Sequence, residues 1–316
     1  MILNSVILVI LGFFLLIKGA DFLVTGASNI AKKLRIPEIV IGLTIVSIGT
    51  SMPELVVSVT SAIKGYQDIT IGNVIGSNLA NLLLILGLSS FISPVNIKKS
   101  TQDFEIPICL LATLIFAVMC VWKNGITRVE ALFLMVLFVL FIGYTIYLTH
   151  KSHKIENNTN VETSNEKLGK SVLLVLLGIV ALKIGGDFTV NNATNIARIL
   201  GLSEKIISIT ILAIGTSLPE LVTSVIAAIK GRSDIAVGNI IGSNIFNVLL
   251  IVGTSALVKP IVYNNVYNID IIILLFSTLL LAFFPLFPPK DKMGRGEGIL
   301  YMFIYTLYMM ISFHSL

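Results

Sequence analysis

Two carboxylates stand where the chain is otherwise built for hydrocarbon. Glu54 lies in GTSMPEL and Glu220 in GTSLPEL, each flanked by strongly apolar runs. A charged side chain near the centre of a bilayer costs at least about 2.5–3.5 kcal/mol on insertion scales, so such residues mark functional sites by default. Proline removes a backbone donor and disfavours a helical residue before it. Pro53 and Pro219, with Gly49 and Gly215 just upstream, therefore predict a broken helix around each carboxylate. Ser51 and Glu54 have the spacing of a capping box, so a merely capped and kinked helix explains the glycine, serine and proline. It does not explain the carboxylate, because glutamine would complete the same cap more cheaply.

The atoms around the two glutamates are oxygen donors. Ser47, Ser51, Glu54 and Ser58 recur at helical spacing, with Thr50 beside them, and Asn73, Ser77 and Asn81 form a second stripe. The later segment supplies Thr216, Ser217, Glu220, Ser224, Asn239, Ser243 and Asn247. The helix breaks are expected to add backbone carbonyls near Ser47 and Ala213. Neither segment contains histidine or cysteine. Carboxylates, hydroxyls and amide carbonyls suit a hard cation such as Ca²⁺, which takes six to eight oxygens, and not zinc or copper. Two glutamates neutralise one Ca²⁺, and the hydroxyl oxygens can serve Na⁺ in its place. Ser47, Ser58, Ser224, Asn73 and Asn239 fit helix packing as well as ligation. Gly72 and Gly76 predict close approach of the helix that carries them. Asp21 and Asp187 lie three and four residues after Lys18 and Lys183, the spacing of ion pairs on a helix surface.

The elements that must position these residues are membrane helices. The chain has 316 residues, 55% of them hydrophobic and only 12% charged, with a mean hydropathy of +0.96. Soluble domains carry about 25% charged residues. The net charge of +5 needs no nucleic-acid partner, since loop lysines and arginines are expected of a membrane protein. Cys109 and Cys120, about 16 Å apart along one helix, are too distant for a disulfide. A crossing takes roughly 20 apolar residues. That rule predicts an all-α membrane protein with spans at 2–30, 37–63, 69–92, 104–122, 127–149, 170–198, 204–229, 235–258, 268–287 and 297–315.

The chain also repeats itself. A constant shift of 166 relates Asp21 to Asp187 and Asn81 to Asn247, and about 23 of 35 positions are identical between 47–81 and 213–247. Five helices per half is an odd number, so halves sharing one fold enter the membrane from opposite sides, the inverted-repeat plan of many secondary transporters. The expected division is 1–149, a polar linker at 150–169, and 170–316. Lysine and arginine favour the loops after odd-numbered spans, about 14 to 6. This bias places the linker in the cytoplasm and both termini outside, in a multi-pass protein of the cytoplasmic membrane.

GTSMPEL…GNVIGSN…N and GTSLPEL…GNIIGSN…N resemble the two alpha repeats of the cation/calcium exchanger superfamily, particularly its prokaryotic sodium/calcium exchanger branch. The resemblance spans both repeats. It implies ten helices in two inverted five-helix halves, alternating access, and Na⁺ entry driving Ca²⁺ exit. It also implies ion sites at Thr50, Ser51, Glu54, Ser77, Asn81, Thr216, Ser217, Glu220, Ser243 and Asn247, with the Ser47 and Ala213 carbonyls, where both ions compete for the two glutamates. The long first and sixth helices are expected to slide past that core. Asparagine stands at 247 where many relatives carry aspartate, which weakens any case for K⁺ co-transport. The alternative in this class is a Ca²⁺/H⁺ antiporter, whose usual GN-x-x-E pattern is missing. A channel usually draws its carboxylate ring from symmetric subunits, and an intramembrane hydrolase has no supporting motif here. No enzyme activity, cofactor or protein partner is implied, which is compatible with a monomer in the lipid bilayer.

Overall fold

The computed structural model describes residues 2–156, 166–201, 213–286 and 291–314. Most of the polar linker and the expected start of the seventh span, 204–212, lie outside them. The chain is mostly helical. Among the described residues seven helices are long and apolar enough to cross a membrane, a bent pair makes an eighth span, and the shorter Leu218–Ile229 and the C-terminal Arg295–His314 bring the helices to ten. In chain order these helices are α1 (Ile2–Leu34), the bent α2 (Glu38–Thr50 and Met52–Lys64), α3 (Gln67–Ile92), α4 (Thr101–Trp122), α5 (Arg128–Glu156), α6 (Leu168–Ile199), α7 (Leu218–Ile229, preceded by the turn Ala213–Gly215), α8 (Ser233–Val258), α9 (Asn265–Leu286) and α10 (Arg295–His314).

The break in α2 has the cause foreseen. Pro53 enters the first turn of the resumed helix, Ser51 adopts φ −85° and ψ 7°, and the two pieces meet at 50°. Ser217 takes nearly the same backbone angles, φ −88° and ψ 6°, before Pro219. Wide π-helical turns follow at Ala80–Leu86 in α3 and Asn247–Val252 in α8. Such turns often occur at functional sites, and periodicity alone did not reveal them.

α3 and α8 form the centre. Of α8, Ile235 through Phe246 are all buried. Gly238 and Gly242 let α8 lie directly against the first part of α2. A Cβ on Gly238 would meet Ile39 O at 2.8 Å, and one on Gly242 would meet Leu43 O at 2.9 Å. The corresponding expectation for α3 needs correction. A Cβ on Gly76 would meet nothing within 4 Å, and one on Gly72 only the Tyr267 hydroxyl at 3.2 Å. Gly76 therefore faces open space where α3 borders a cavity, while Gly72 lies against the Tyr267 side chain of α9.

α1 and α6 cross this core together. Gly19 and Gly178 face each other, as do Gly12 and Gly185. The added Cβ at each would lie 2.7–2.9 Å from the opposing carbonyl. Four two-residue strands modify the all-α expectation. Val95–Asn96 pairs with Lys292–Met293, and Gly125–Ile126 with Ile261–Val262, both antiparallel. They are too short to leave a period-two pattern, and each clips a loop of one half of the chain to a loop of the other.

Candidate functional site

Glu54 and Glu220 are each 1% exposed. The turn that carries Glu54 reaches Glu220 directly, through Ser51, three residues before Glu54. Each glutamate is the third residue after its helix break, which aims it into the protein and away from lipid. The capping-box reading fails at both breaks. Neither the Ser51 nor the Ser217 side chain caps the helix that follows. The Ser51 hydroxyl instead donates to Glu220 Oε1 at 2.9 Å and shares a second 2.9 Å contact with Ser243 Oγ. A side chain chosen for local capping on sequence grounds is used across the protein.

Several buried oxygens around the carboxylates have no hydrogen-bond partner among the described residues. They are both Glu54 oxygens, Glu220 Oε2, Asn81 Oδ1, Asn247 Oδ1, Ser77 Oγ and Ser217 Oγ. Buried polar groups are normally paired, and an unpaired buried charge is costly. Each of these oxygens belongs to a residue singled out from the sequence, whereas Ser89, Ser90, Glu105, Thr194, Thr223 and Ser255, which also carry buried unpartnered oxygens, were not. Apart from the two hydroxyls, those around the carboxylates are pure acceptors, and acceptors gathered around two carboxylates suit a cation. Among the described residues no three His, Cys, Asp or Glu side chains cluster as a metal site, so neutral oxygens would have to complete any coordination shell.

The remaining expected residues divide. Ser58 and Asn73 bond to each other at 2.9 Å, as do Ser224 and Asn239, so these four tie neighbouring helices together. Asn239 Oδ1 also accepts the Thr50 hydroxyl at 3.0 Å. The Ser47 hydroxyl turns back to Leu43 O at 2.8 Å. The Ser47 carbonyl accepts the Ser51 N–H at 2.9 Å, so the break does not release it from backbone pairing. In the second half the Ser217 N–H goes to Ile214 O at 3.1 Å rather than to Ala213. Asp21 pairs with Lys230, just past the end of α7, and not with Lys18, whereas Lys183 and Asp187 do pair, at 3.1 Å.

Two residues were missed. Asn78 and Asn244 are fully buried between α3 and α8. Asn81 Nδ2 donates to Asn244 Oδ1, and Asn247 Nδ2 to Asn78 Oδ1, both at 2.9 Å. Their signal was available, since GSN occurs in both repeats, but a stripe drawn at every fourth residue passes them by.

The surroundings are not symmetric. A cavity of about 860 Å³ reaches Asn73, Ser77 and Thr216 and passes between Pro53 and Pro219. Its outer end includes Asp68 and Ile69, which also line a second cavity bounded by the loop residues Gly65, Asn124 and Asn264. The counterparts Thr50, Asn239 and Ser243 are fully buried. The cavity thus borders Pro53 and Pro219, the neighbours of the two carboxylates, on one side of the site only.

This arrangement has known counterparts. The sequence pattern of the family described as sodium/calcium exchanger protein matches residues 4–147 and 170–314. The chain belongs to that family. It is 35% identical to the putative antiporter CaxA of Alkalimonas amylolytica, covering 98% of this chain and 99% of that protein. It is 31% identical to the sodium/calcium exchanger MaX1 of Methanosarcina acetivorans, over 99% of this chain and all of its relative. A solved structure of the sodium-calcium exchanger NCX_Mj superimposes with a TM-score of 0.85 at 32% identity, covering 98% of both chains. The exchanger is thus a multi-pass membrane transporter of the cation/Ca²⁺ antiporter type.

Proposed function

We propose that this exchanger moves Na⁺ against Ca²⁺ across the cytoplasmic membrane, with both ions competing for Glu54 and Glu220. One observation carries the proposal: two opposed, buried carboxylates have three of their four oxygens unpartnered among the described residues. Leaving such charges uncompensated in a low-dielectric interior costs several kcal/mol, which a bound cation removes. Ca²⁺ takes both carboxylates, with Asn81 and Asn247 Oδ1, Ser77 and Ser217 within the same shell. Na⁺ uses the same glutamates with Thr50, Ser51, Thr216, Ser243 and the Ser47 and Ala213 carbonyls. Occupancy by one ion excludes the other, which couples their movements.

The architecture that fits is ten helices in two inverted five-helix halves, 1–149 and 170–316, joined by a cytoplasmic linker at 150–169 and with both termini outside. Support comes from the two separate family matches, which stop and restart at the linker, and from strand pairs and asparagine bonds that recur reciprocally between the halves. Loops near the cavity mouth belong to the side poorer in lysine and arginine, so the cavity faces outward and alternating access closes it while opening the opposite end.

The decisive measurement is ⁴⁵Ca²⁺ uptake into proteoliposomes under imposed Na⁺, K⁺ or H⁺ gradients. Uptake that requires an outward Na⁺ gradient and is lost in folded Glu54→Gln and Glu220→Gln variants supports the reading. Uptake driven by a pH gradient alone makes the protein a Ca²⁺/H⁺ antiporter. Normal exchange in either variant removes the glutamates from the site.

A further inference from the structure

We propose that Asn78 and Asn244 are positioning residues that fix which end of the Asn247 and Asn81 carboxamides faces the ion. The inference rests on the ion site proposed above. It starts from the direction of four hydrogen bonds. Asn78 Nδ2 donates to the Asn244 backbone carbonyl, and Asn244 Nδ2 to the Asn78 backbone carbonyl, each at 3.4 Å. A backbone carbonyl only accepts, so each side chain must present its NH₂ there. That choice leaves Asn78 Oδ1 and Asn244 Oδ1 on the far side, where they accept from Asn247 Nδ2 and Asn81 Nδ2 at 2.9 Å. The polarity is passed on once more. With their NH₂ groups held, Asn81 and Asn247 turn Oδ1 the other way, and those are the two amide oxygens left unpartnered.

All four side chains are buried, at 0–1% exposure. Reversing one carboxamide would set oxygen against oxygen inside the ring and point an NH₂ at the cation. An asparagine ligand is ambiguous, because its two ends have nearly the same shape and opposite polarity. A backbone carbonyl cannot flip, so the relay from backbone to Asn78 to Asn247, and its counterpart through Asn244 to Asn81, removes the ambiguity. The ring also explains why the missed asparagines sit three residues before the ligands. From there each reaches across to the ligand of the opposite helix.

An aspartate at 247 offers oxygen in either orientation and needs no such control. This difference supplies the test. Equilibrium ⁴⁵Ca²⁺ binding is measured on four purified proteins: the native chain, Asn78→Leu, Asn247→Asp and the double variant. Asn78→Leu is expected to weaken binding about tenfold in the native background. Beside Asn247→Asp, whose carboxylate has no donor for Asn78 Oδ1, it should weaken binding by no more than about twofold. A role limited to holding α3 against α8 costs the same in both backgrounds, and that result, or no cost in the native background, overturns the proposal. Asn244→Leu with Asn81→Asp repeats the comparison for the other half, and Asn78→Ala serves if the leucine variant does not fold. A native chain that binds no Ca²⁺ sinks the ion site and the relay together. Binding with equal costs sinks the relay alone.

Discussion

Ser51 of the first half donates its hydroxyl to Glu220 of the second at 2.9 Å, while the corresponding Ser217 hydroxyl has no partner among the described residues. Nearly identical heptapeptides thus occupy different environments. The Ser51 side is sealed by Thr50, Asn239 and Ser243, and the Ser217 side opens through Thr216 to the cavity. A chain whose halves were locked in one symmetric arrangement would not show this difference.

The two serines should therefore contribute unequally to stability when no ion is bound. A hydrogen bond to a charged group contributes about 1.5–3 kcal/mol. Ser51→Ala removes one and leaves Glu220 Oε1 buried without a donor. Ser217→Ala removes a hydroxyl that lies toward Glu54 but makes no hydrogen bond of good geometry among the described residues. Thermal unfolding in chelator-treated, Na⁺-free detergent solution should show a clearly lower midpoint for Ser51→Ala and little change for Ser217→Ala. Equal shifts would mean that the sealed and open sides are not distinct in solution.

How much of this was readable beforehand follows from which terms are local. The seven or eight long apolar spans and the helix breaks were legible because hydropathy, Pro53 and Pro219 act on their own neighbourhoods. Glu54 and Glu220 were legible because a carboxylate in an apolar run costs more than packing or capping alone returns. The roles of Ser51 and Gly76 were not. Ser51 has perfect local grounds for a cap, but a partner 169 positions away takes its hydroxyl. Gly76 and Gly242 sit in the same motif, yet only Gly242 touches a helix, since the difference lies in the conformation adopted. Lys230 was legible as a loop cation, but its bond to Asp21 depends on how α7 lies across α1. Glu105 went unremarked within an apolar span, although it is buried and accepts the Tyr144 hydroxyl at 3.0 Å.

The Lys230 contact marks the end away from the cavity. Its ammonium pairs with Asp21 and donates to Thr25 Oγ1 at 2.8 Å, pinning the end of α7 to α1. Lys64 and Asp187, the counterparts by the repeat, border the open end, where Asp187 pairs with Lys183 instead. Ion pairs this exposed contribute about 0–1 kcal/mol, so the effect of breaking one is a modest shift between conformations. Asp21→Asn should speed deuterium uptake in residues 226–232 by no more than about fivefold. Uptake at 60–66, on the other end, should not rise. An unchanged 226–232 segment would show that the pair does not hold that end.

The native cysteines should be silent. Cys109 and Cys120 are 1% and 0% exposed, and both are free thiols. Reaction needs an accessible thiolate. A membrane-impermeant maleimide should label neither in intact membranes and both after denaturation in dodecyl sulfate. Labelling of the native protein at either position would mean that α4 opens in a way its packing here does not show.

The seam between α1 and α6 lies apart from the ion site proposed above. Gly19 and Gly178 touch backbone to backbone, and a methyl group on Gly178 would lie 2.7 Å from both the Gly19 carbonyl and the Leu23 nitrogen. Neither partner is a flexible side-chain end, so the helices must part to admit it, and overpacking of this kind costs about 1–3 kcal/mol. None of these atoms belongs to the ion site. Gly178→Ala should therefore leave the Ca²⁺ concentration for half-maximal exchange nearly unchanged while lowering the maximal rate by about tenfold. Gly143, which has open space around its missing Cβ, provides the control, and Gly143→Ala should exchange at the native rate. A raised half-maximal concentration with an unaltered maximal rate in Gly178→Ala would show that the seam shapes the site and does not govern the rate.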